Sequence, residues 1–249
     1  MDRKQEIIYG FHPVFEALKA GRRNFSEVFI AKGKNSKRLK TVVSVAKSLN
    51  IPLSFIDPLK IQSLSRSEKH QRVCAITTTY PYVELSYIMD KRKKKDGPIV
   101  LLCLDSLSDP SNLGALVRTA LCFGIDGIVI PKDRSVSPTP SVSKASAGAL
   151  EHSYIARVTN LAATLEEMKS WGLWVGGMDR FARQSIFSTK FSGPLAIVVG
   201  SEKKGIRTLV KKSCDFLFSI PQQSQVDSLN ASMAGSIAMY EIFRQRDKI

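Results

Sequence analysis

The sequence predicts an α/β protein in two parts: a small α/β domain, then a larger one built on a parallel sheet. Three observations carry this. Before residue 82, short β-branched runs alternate with segments of helical period. After residue 97, the strand candidates become continuous apolar runs, as expected for a parallel sheet covered on both faces. Between them lies "DKRKKKDG" (residues 90–97), where five consecutive basic side chains repel one another and disfavour a packed element. The expected boundaries are 1–81 for the first domain, 82–97 for a basic linker and 98–249 for the second domain.

In the first part, "HPVFEALKAG" reads as a helix closed by Gly21, and "SEVFIA" as a strand. "SKRLKTVVSVAKSLN" has apolar residues at helical spacing, "IPLSFID" is a strand, and "RVCAITTTY" is β-branched. In the second part, "IVLLCL", "GIVI", "LWVGG" and "LAIVVG" are buried strands. "NLGALVRTALCFG", "SVSKASAGALEH", "LAATLEEMKSWG" and "IRTLVKK" read as the helices between them, a doubly wound pattern whose ligands bind at the strand C-termini.

The 249 residues carry a net charge of +15. Residues 1–97 hold 20 Lys/Arg against 9 Asp/Glu, so most of the excess lies in the first two-fifths of the chain. Charge concentrated in this way points to a polyanion, and nucleic acid is the natural one. No apolar run reaches the roughly 20 residues of a membrane span, and "MDRKQEIIYG" lacks the apolar centre of a signal peptide. A soluble, cytoplasmic protein is expected, with no membrane partner. The four cysteines are scattered without a C-x-x-C pair, and the three histidines lack ligand spacing. No metal site is expected, and the cysteines read as buried thiols.

Three strand-to-helix junctions carry unusual polar residues. In "DSLSDPSNLGALVRTALCFG" a helix begins near Ser111. Asn112 and Arg118 are six apart, roughly 240° around a helix. They converge only if Asn112 lies in the loop or at the cap, and spacing alone favours Asn112 as N-cap with Arg118 solvated. In "LAIVVGSEKKGIR" a buried strand ends at Gly200, where a ligand can approach the backbone; an ordinary turn with a solvated Glu202 fits locally as well. In "FSIPQQSQVDSLNASMAGS" a strand leads through surplus polar residues into a helix of small ones. One N-cap is needed; Asp227, Ser228 and Asn230 can each supply it, and Asp227 or Ser228 is expected to.

Together these segments resemble the SpoU (TrmH) family of RNA ribose 2′-O-methyltransferases, in the SPOUT superfamily. "NLGALVRTA", "VVGSEKKG" and "IPQQSQVDSLNAS" stand for its three motifs, in order. Members usually have Glu-Gly where this chain has Glu202-Lys203, and Ile-Pro-Met-x-Gly where it has Gln222 and Ser224. "IIYGFHPVFEAL", "SEVFIAKG" and "HQRVCAI" resemble the L30e-like substrate-binding domain of members that modify large-subunit ribosomal RNA.

The resemblance implies a trefoil knot, a homodimer, and S-adenosylmethionine as methyl donor without a metal. It implies a catalytic Arg118 assisted by Asn112, Glu202, Ser228 and Asn230, and a cofactor cleft at Gly200, Ser201, Ile220 and Leu229. RNA contacts are expected from Arg22, Arg23, Lys32, Lys34, Lys37, Arg38 and the Lys91–Lys95 run, with His12 and His70 added by resemblance. The expected substrate is a guanosine of 23S ribosomal RNA. The alternatives are a transfer-RNA substrate, or an RNA-binding protein whose site has decayed.

Overall fold

The computed structural model describes residues 5–33, 36–93, 97–202, 204–223 and 228–246. In chain order it contains β1 (Gln5–Tyr9), α1 (Phe11–Ala20), β2 (Phe25–Ala31), α2 (Lys37–Ser48), β3 (Leu53–Ile56), α3 (Pro58–Ser65) and β4 (Val73–Thr78). Then come α4 (Leu85–Arg92), β5 (Val100–Asp105), α5 (Pro110–Cys122), β6 (Gly127–Pro131), α6 (Pro140–Ala145), α7 (Ala149–His152) and β7 (Ile155–Val158). The chain continues through α8 (Leu161–Ser170), β8 (Trp174–Met178), β9 (Leu195–Gly200), α9 (Thr208–Lys212), β10 (Phe216–Phe218) and α10 (Ala231–Arg246). It forms two compact units: Met1–Pro81 with Pro138–His152, and Tyr82–Ser137 with Ser153–Ile249.

The first unit is a four-stranded sheet in the order β1-β4-β2-β3, parallel only between β2 and β3. Gly21 ends α1 at φ 63, a left-handed cap that costs glycine little. Ser36 caps α2 through Leu39 N–H, and Asp57 caps α3 ahead of Pro58, whose missing N–H is no loss at a helix start. Ile8, Val14, Val28, Ile30, Val42 and Val73 form the core.

Pro138–His152 was expected in the second domain. It packs with the first unit, and a buried charge cluster holds it there. Arg23, 4% exposed, binds Glu151 through Nε and Nη2 and reaches Glu6 and the Thr78 carbonyl through Nη1. Ser143 donates to Glu151 at 2.7 Å. Burial raises the Glu6 carboxyl pKa above its ordinary value, against the pull of Arg23. The single helix expected over "SVSKASAGALEH" is two, α6 and α7, because Ala147 and Gly148 take φ 51 and φ 83 and break the period.

The second unit is an all-parallel six-stranded sheet, order β10-β8-β9-β5-β6-β7. β5 and β9 are buried along their whole length, as their unbroken apolar sequences require. The strand β7 was not anticipated. The basic linker expected at 82–97 instead contains α4, with Leu85 and Ile88 in the core. Its basic side chains find local partners: Lys91 bonds the Tyr154 hydroxyl and lies over its ring, Arg92 pairs with Asp126 and Lys93 with Asp90. Lys94 and Lys95 lie outside the described residues. Cys74 and Cys103 are buried, but Cys122 is exposed, because α5 presents it opposite its apolar face.

Among the described residues no helix is long and apolar enough to cross a membrane. Breaking a buried ion cluster by removing one partner leaves uncompensated charge. Arg23→Ala should therefore lower the stability of the first unit by about 3–5 kcal/mol, while Lys32→Ala stays within about 0.5 kcal/mol. Urea unfolding checks this, and equal midpoints for the two variants would contradict it.

Candidate active site

The second unit carries a cleft of about 380 Å³ at the C-terminal ends of β8, β9 and β10. In a parallel sheet this is where loops converge and ligands bind. Its floor is set by one close approach. β5 and β9 end side by side, with Asp105 paired to Gly200. Beyond Gly200 the chain closes a tight loop, with Ser201 N–H donating to the Gly205 carbonyl at 3.1 Å and Gly205 N–H to the Ser201 carbonyl at 2.8 Å. A Cβ on Gly200 would collide with the Gly205 carbonyl carbon and the Ile206 nitrogen. Only glycine permits this turn.

The returning chain is tied down by Asp105, which is fully buried. Its carboxylate accepts from Arg207 N–H and Arg207 Nε, both at 2.7 Å. Sequence reasoning missed this pair, although an aspartate closing the apolar run "LLCLD" was the available signal. On the other side of the loop, Glu202 accepts a hydrogen bond from the Asn112 side-chain amide. Asn112 is 8% exposed. Two residues 90 apart in sequence are thus joined beside the cleft.

Asn112 is not the helix cap. Asp109 caps α5 by accepting from Ser111 N–H, with Pro110 as the first helical residue. Asn112 and Arg118 therefore both lie within α5, roughly 240° around the helix, so their directions differ by about 120°. Arg118 is exposed and has no ion-pair partner among the described residues.

At the third junction Asn230 is the cap. Its side-chain oxygen accepts from Ser232 N–H at 2.9 Å and from the Ser232 hydroxyl at 2.6 Å. This corrects the expectation that Asp227 or Ser228 caps the helix, and it commits the Asn230 oxygen to the backbone. Asp227 lies outside the described residues, with Lys203 and Ser224. Ser228 and Leu229 line the cleft with Gly200, Ser201, Glu202 and Ile220. The small residues of α10 permit close packing: a Cβ on Gly235 would press into Leu116, and Ser236 lies 3.1 Å from the Thr119 hydroxyl.

Sequence reasoning also missed the wall after β8. Asp179 pairs with Lys211 and accepts from Phe181 N–H at 2.9 Å. Burial raises its carboxyl pKa, but the bonds from Lys211 and Phe181 N–H and the charges of Lys211 and Arg180 outweigh that and hold it below the ordinary value. The cleft thus combines an apolar lining (Val199, Phe218, Ile220, Leu229) with the Glu202 carboxylate and one fixed carboxylate–ammonium pair, Asp179–Lys211. These residues suit a nucleoside-sized ligand with a polar tail. Among the described residues no group of three or more His, Cys, Asp or Glu could hold a metal ion.

The expected RNA contacts in the first unit separate into two groups. Arg23 is buried as described. Arg22 is half-buried, donating to the Pro81 carbonyl at 2.9 Å and lying over Tyr80. His70 is buried, and its Nδ1 accepts from Arg72 N–H at 3.0 Å. Burial and the charges of Arg72 and Lys144 hold its imidazole pKa below the ordinary value. These three serve the fold. His12, Lys32, Lys37 and Arg38 are exposed, with His12 and Arg38 both against Phe11. Lys34 lies outside the described residues.

The second unit thus carries, at the C-terminal ends of its parallel strands, a nucleoside-sized cleft with the Asn112–Glu202 pair beside it. Residues 99–240 match the SpoU rRNA Methylase family, and residues 7–83 match the RNA 2′-O ribose methyltransferase substrate-binding domain. The chain belongs to the SpoU methylase family of RNA methyltransferases. YacO of Bacillus subtilis (strain 168), named for the TrmH family of tRNA/rRNA methyltransferases, is 41% identical over all of this chain and 99% of its own. A relative named for the same family in Staphylococcus aureus (strain COL) is 39% identical over 98% of this chain and 97% of its own. The SpoU methyltransferase AviRb from Streptomyces viridochromogenes, solved in complex with AdoMet, aligns over 97% of this chain and 90% of its own, with a TM-score of 0.83 at 21% identity. An AdoMet-bound rRNA methyltransferase from Sinorhizobium meliloti aligns over 98% of this chain and 88% of its own, with a TM-score of 0.78 at 21% identity.

Removing the Asn112 amide frees Glu202 from its position beside the cleft. Misplacing a positioning group by about 1 Å can cost roughly 100-fold in rate. Asn112→Ala should lower single-turnover methyl transfer to RNA by about that factor while leaving cofactor affinity nearly unchanged. Undiminished transfer would remove Asn112 from the site.

Proposed function

We propose that this protein transfers a methyl group from S-adenosylmethionine to a ribose 2′-hydroxyl, on a guanosine of 23S ribosomal RNA in the cytoplasm. The observation that carries the transfer is the Gly200 turn, which closes one edge of a nucleoside-sized cleft next to the Asn112–Glu202 pair. An RNA substrate is supported by the match of residues 7–83 to a substrate-binding domain and by the charge excess of residues 1–97, and a ribosomal one by the description of the family that residues 99–240 match.

The cofactor supplies a methyl carbon on a positively charged sulfur, so the leaving group needs no further activation. The chain's task is to orient the hydroxyl in line and stabilise the charge that develops as its proton leaves. Arginine remains protonated in proteins, so Arg118 acts as electrostatic partner rather than base, and a neighbouring phosphate oxygen of the RNA or a water takes the proton. Its fork holds the nascent alkoxide and the nucleotide's phosphate. Glu202, fixed by Asn112, and Ser228 orient the ribose. The Asn230 oxygen is engaged in capping, so its contribution is to fix where Ser228 and Leu229 stand.

Arg118 points away from Asn112 on its own helix, and this supports a homodimer whose partner completes the site. Apolar side chains are exposed at helical spacing on α10 (Met233, Ile237 and Tyr240), and Leu121 is exposed on α5, the helix packed against it. Two copies packed through these side chains bury apolar surface and bring Arg118 to the other copy's cleft. The chain beyond β10 is read as threading the preceding loop in a trefoil knot, consistent with the close packing of α10 at Gly235.

Two measurements test this reading. Mapping 2′-O-methyl groups in RNA from cells with and without the protein should show loss at one 23S guanosine. A change in transfer RNA alone would overturn the substrate. Arg118→Lys keeps the charge and loses the fork, and it should lower transfer by about 100-fold or more. Near-normal turnover in that variant would overturn the role of Arg118.

A further inference from the structure

We propose that Phe181 covers the adenine ring of the cofactor. This rests on the reading that the cleft takes S-adenosylmethionine, and it adds a binding residue outside the three motifs. Phe181 lies beyond β8, where it lines the cleft with its side chain 76% exposed. A single exposed apolar ring is ordinary on a protein surface; this one is set apart by its place in the lining of the cleft, on a backbone that the fold fixes.

Its position is nevertheless built. Asp179 N–H donates to the Phe218 carbonyl at 2.9 Å, and Asp179 in turn receives Phe181 N–H through its carboxylate and Ala182 N–H through its carbonyl. Lys211 anchors that carboxylate from α9. The Arg180 guanidinium lies 4.5 Å from the ring centroid and orders the ring. The backbone is thus fixed while the aromatic surface remains available for stacking.

Strand order decides between the two ends of the cofactor. From one edge the sheet runs β10, β8, β9, β5. The Asn112–Glu202 pair stands at the β9–β5 end, where the methyl group is delivered. Phe181 and Ile220 stand at the β8–β10 end. The reactive sulfur belongs near Glu202, so the opposite end takes the arm that is flat and apolar on its faces. That arm is adenine, and the charged amino-acid arm gains nothing from a phenyl ring.

The test is isothermal titration of the full chain with S-adenosylhomocysteine, and with 5′-methylthioadenosine, which keeps the adenosine arm and lacks the amino acid. Stacking of a base on an aromatic side chain sets the expected loss at about tenfold or more in Kd for Phe181→Ala, equal for both ligands. Phe181→Trp should restore affinity, and its added fluorescence should be quenched on saturation. The ring is exposed, so the melting temperature of each variant should match that of the parent protein. An unchanged Kd in Phe181→Ala overturns the assignment, and unchanged cofactor affinity with weakened RNA binding reassigns the ring to the substrate. If the parent protein binds neither ligand, the cofactor reading itself falls.

Discussion

The site depends on one steric constraint: the loop after β9 folds back onto the ends of β5 and β9, and it does so because Gly200 has no side chain. Any Cβ there would occupy the space of the Gly205 carbonyl. From that turn three consequences follow. Ser201 and Gly205 line the cleft, Glu202 is delivered to Asn112, and Arg207 returns to the buried Asp105. The strand pairing of Asp105 with Gly200 places all three at one edge of the cleft.

The first unit shows a different use of charge. Arg23 spends its guanidinium on Glu151, Glu6 and a carbonyl, and this fixes Pro138–His152 beside β1 and α1. Such a cluster is weak evidence for stability by itself, because desolvation offsets much of the attraction. What it supplies is register: a segment remote in sequence is held by a geometry that apolar packing alone would not specify. The exposed basic residues around Phe11 remain to meet a polyanion, and their contribution would be screened by salt.

Much of this was legible in the sequence, for physical reasons that differ by element. The buried strands β5 and β9 announced themselves because strands covered on both faces of a parallel sheet read as near-continuous apolar runs, broken in β5 only at its last residue, Asp105. Gly200 and Leu229 were legible as cleft residues through the motifs. Arg22 and Arg23 were misread because a charge count carries no burial. The linker was misread because repulsion among five basic side chains assumes no partners, and Asp126, Asp90 and Tyr154 were waiting. The cap at Asn230 was misplaced because Asp227, Ser228 and Asn230 have equal intrinsic ability, and only the backbone path chooses. Phe181 lay outside any pattern, since an exposed aromatic in a loop has no period.

The central claim is that the Gly200 turn makes the cofactor cleft. The most direct measurement is the calorimetric affinity of Gly200→Ala for S-adenosylhomocysteine, with circular dichroism to confirm that the sheet persists. The account predicts a folded protein whose affinity falls by about 100-fold or more, because the Gly205 backbone must move to admit a methyl group where overpacking costs about 1–3 kcal/mol or more. A folded Gly200→Ala protein that binds as tightly as the parent would contradict it.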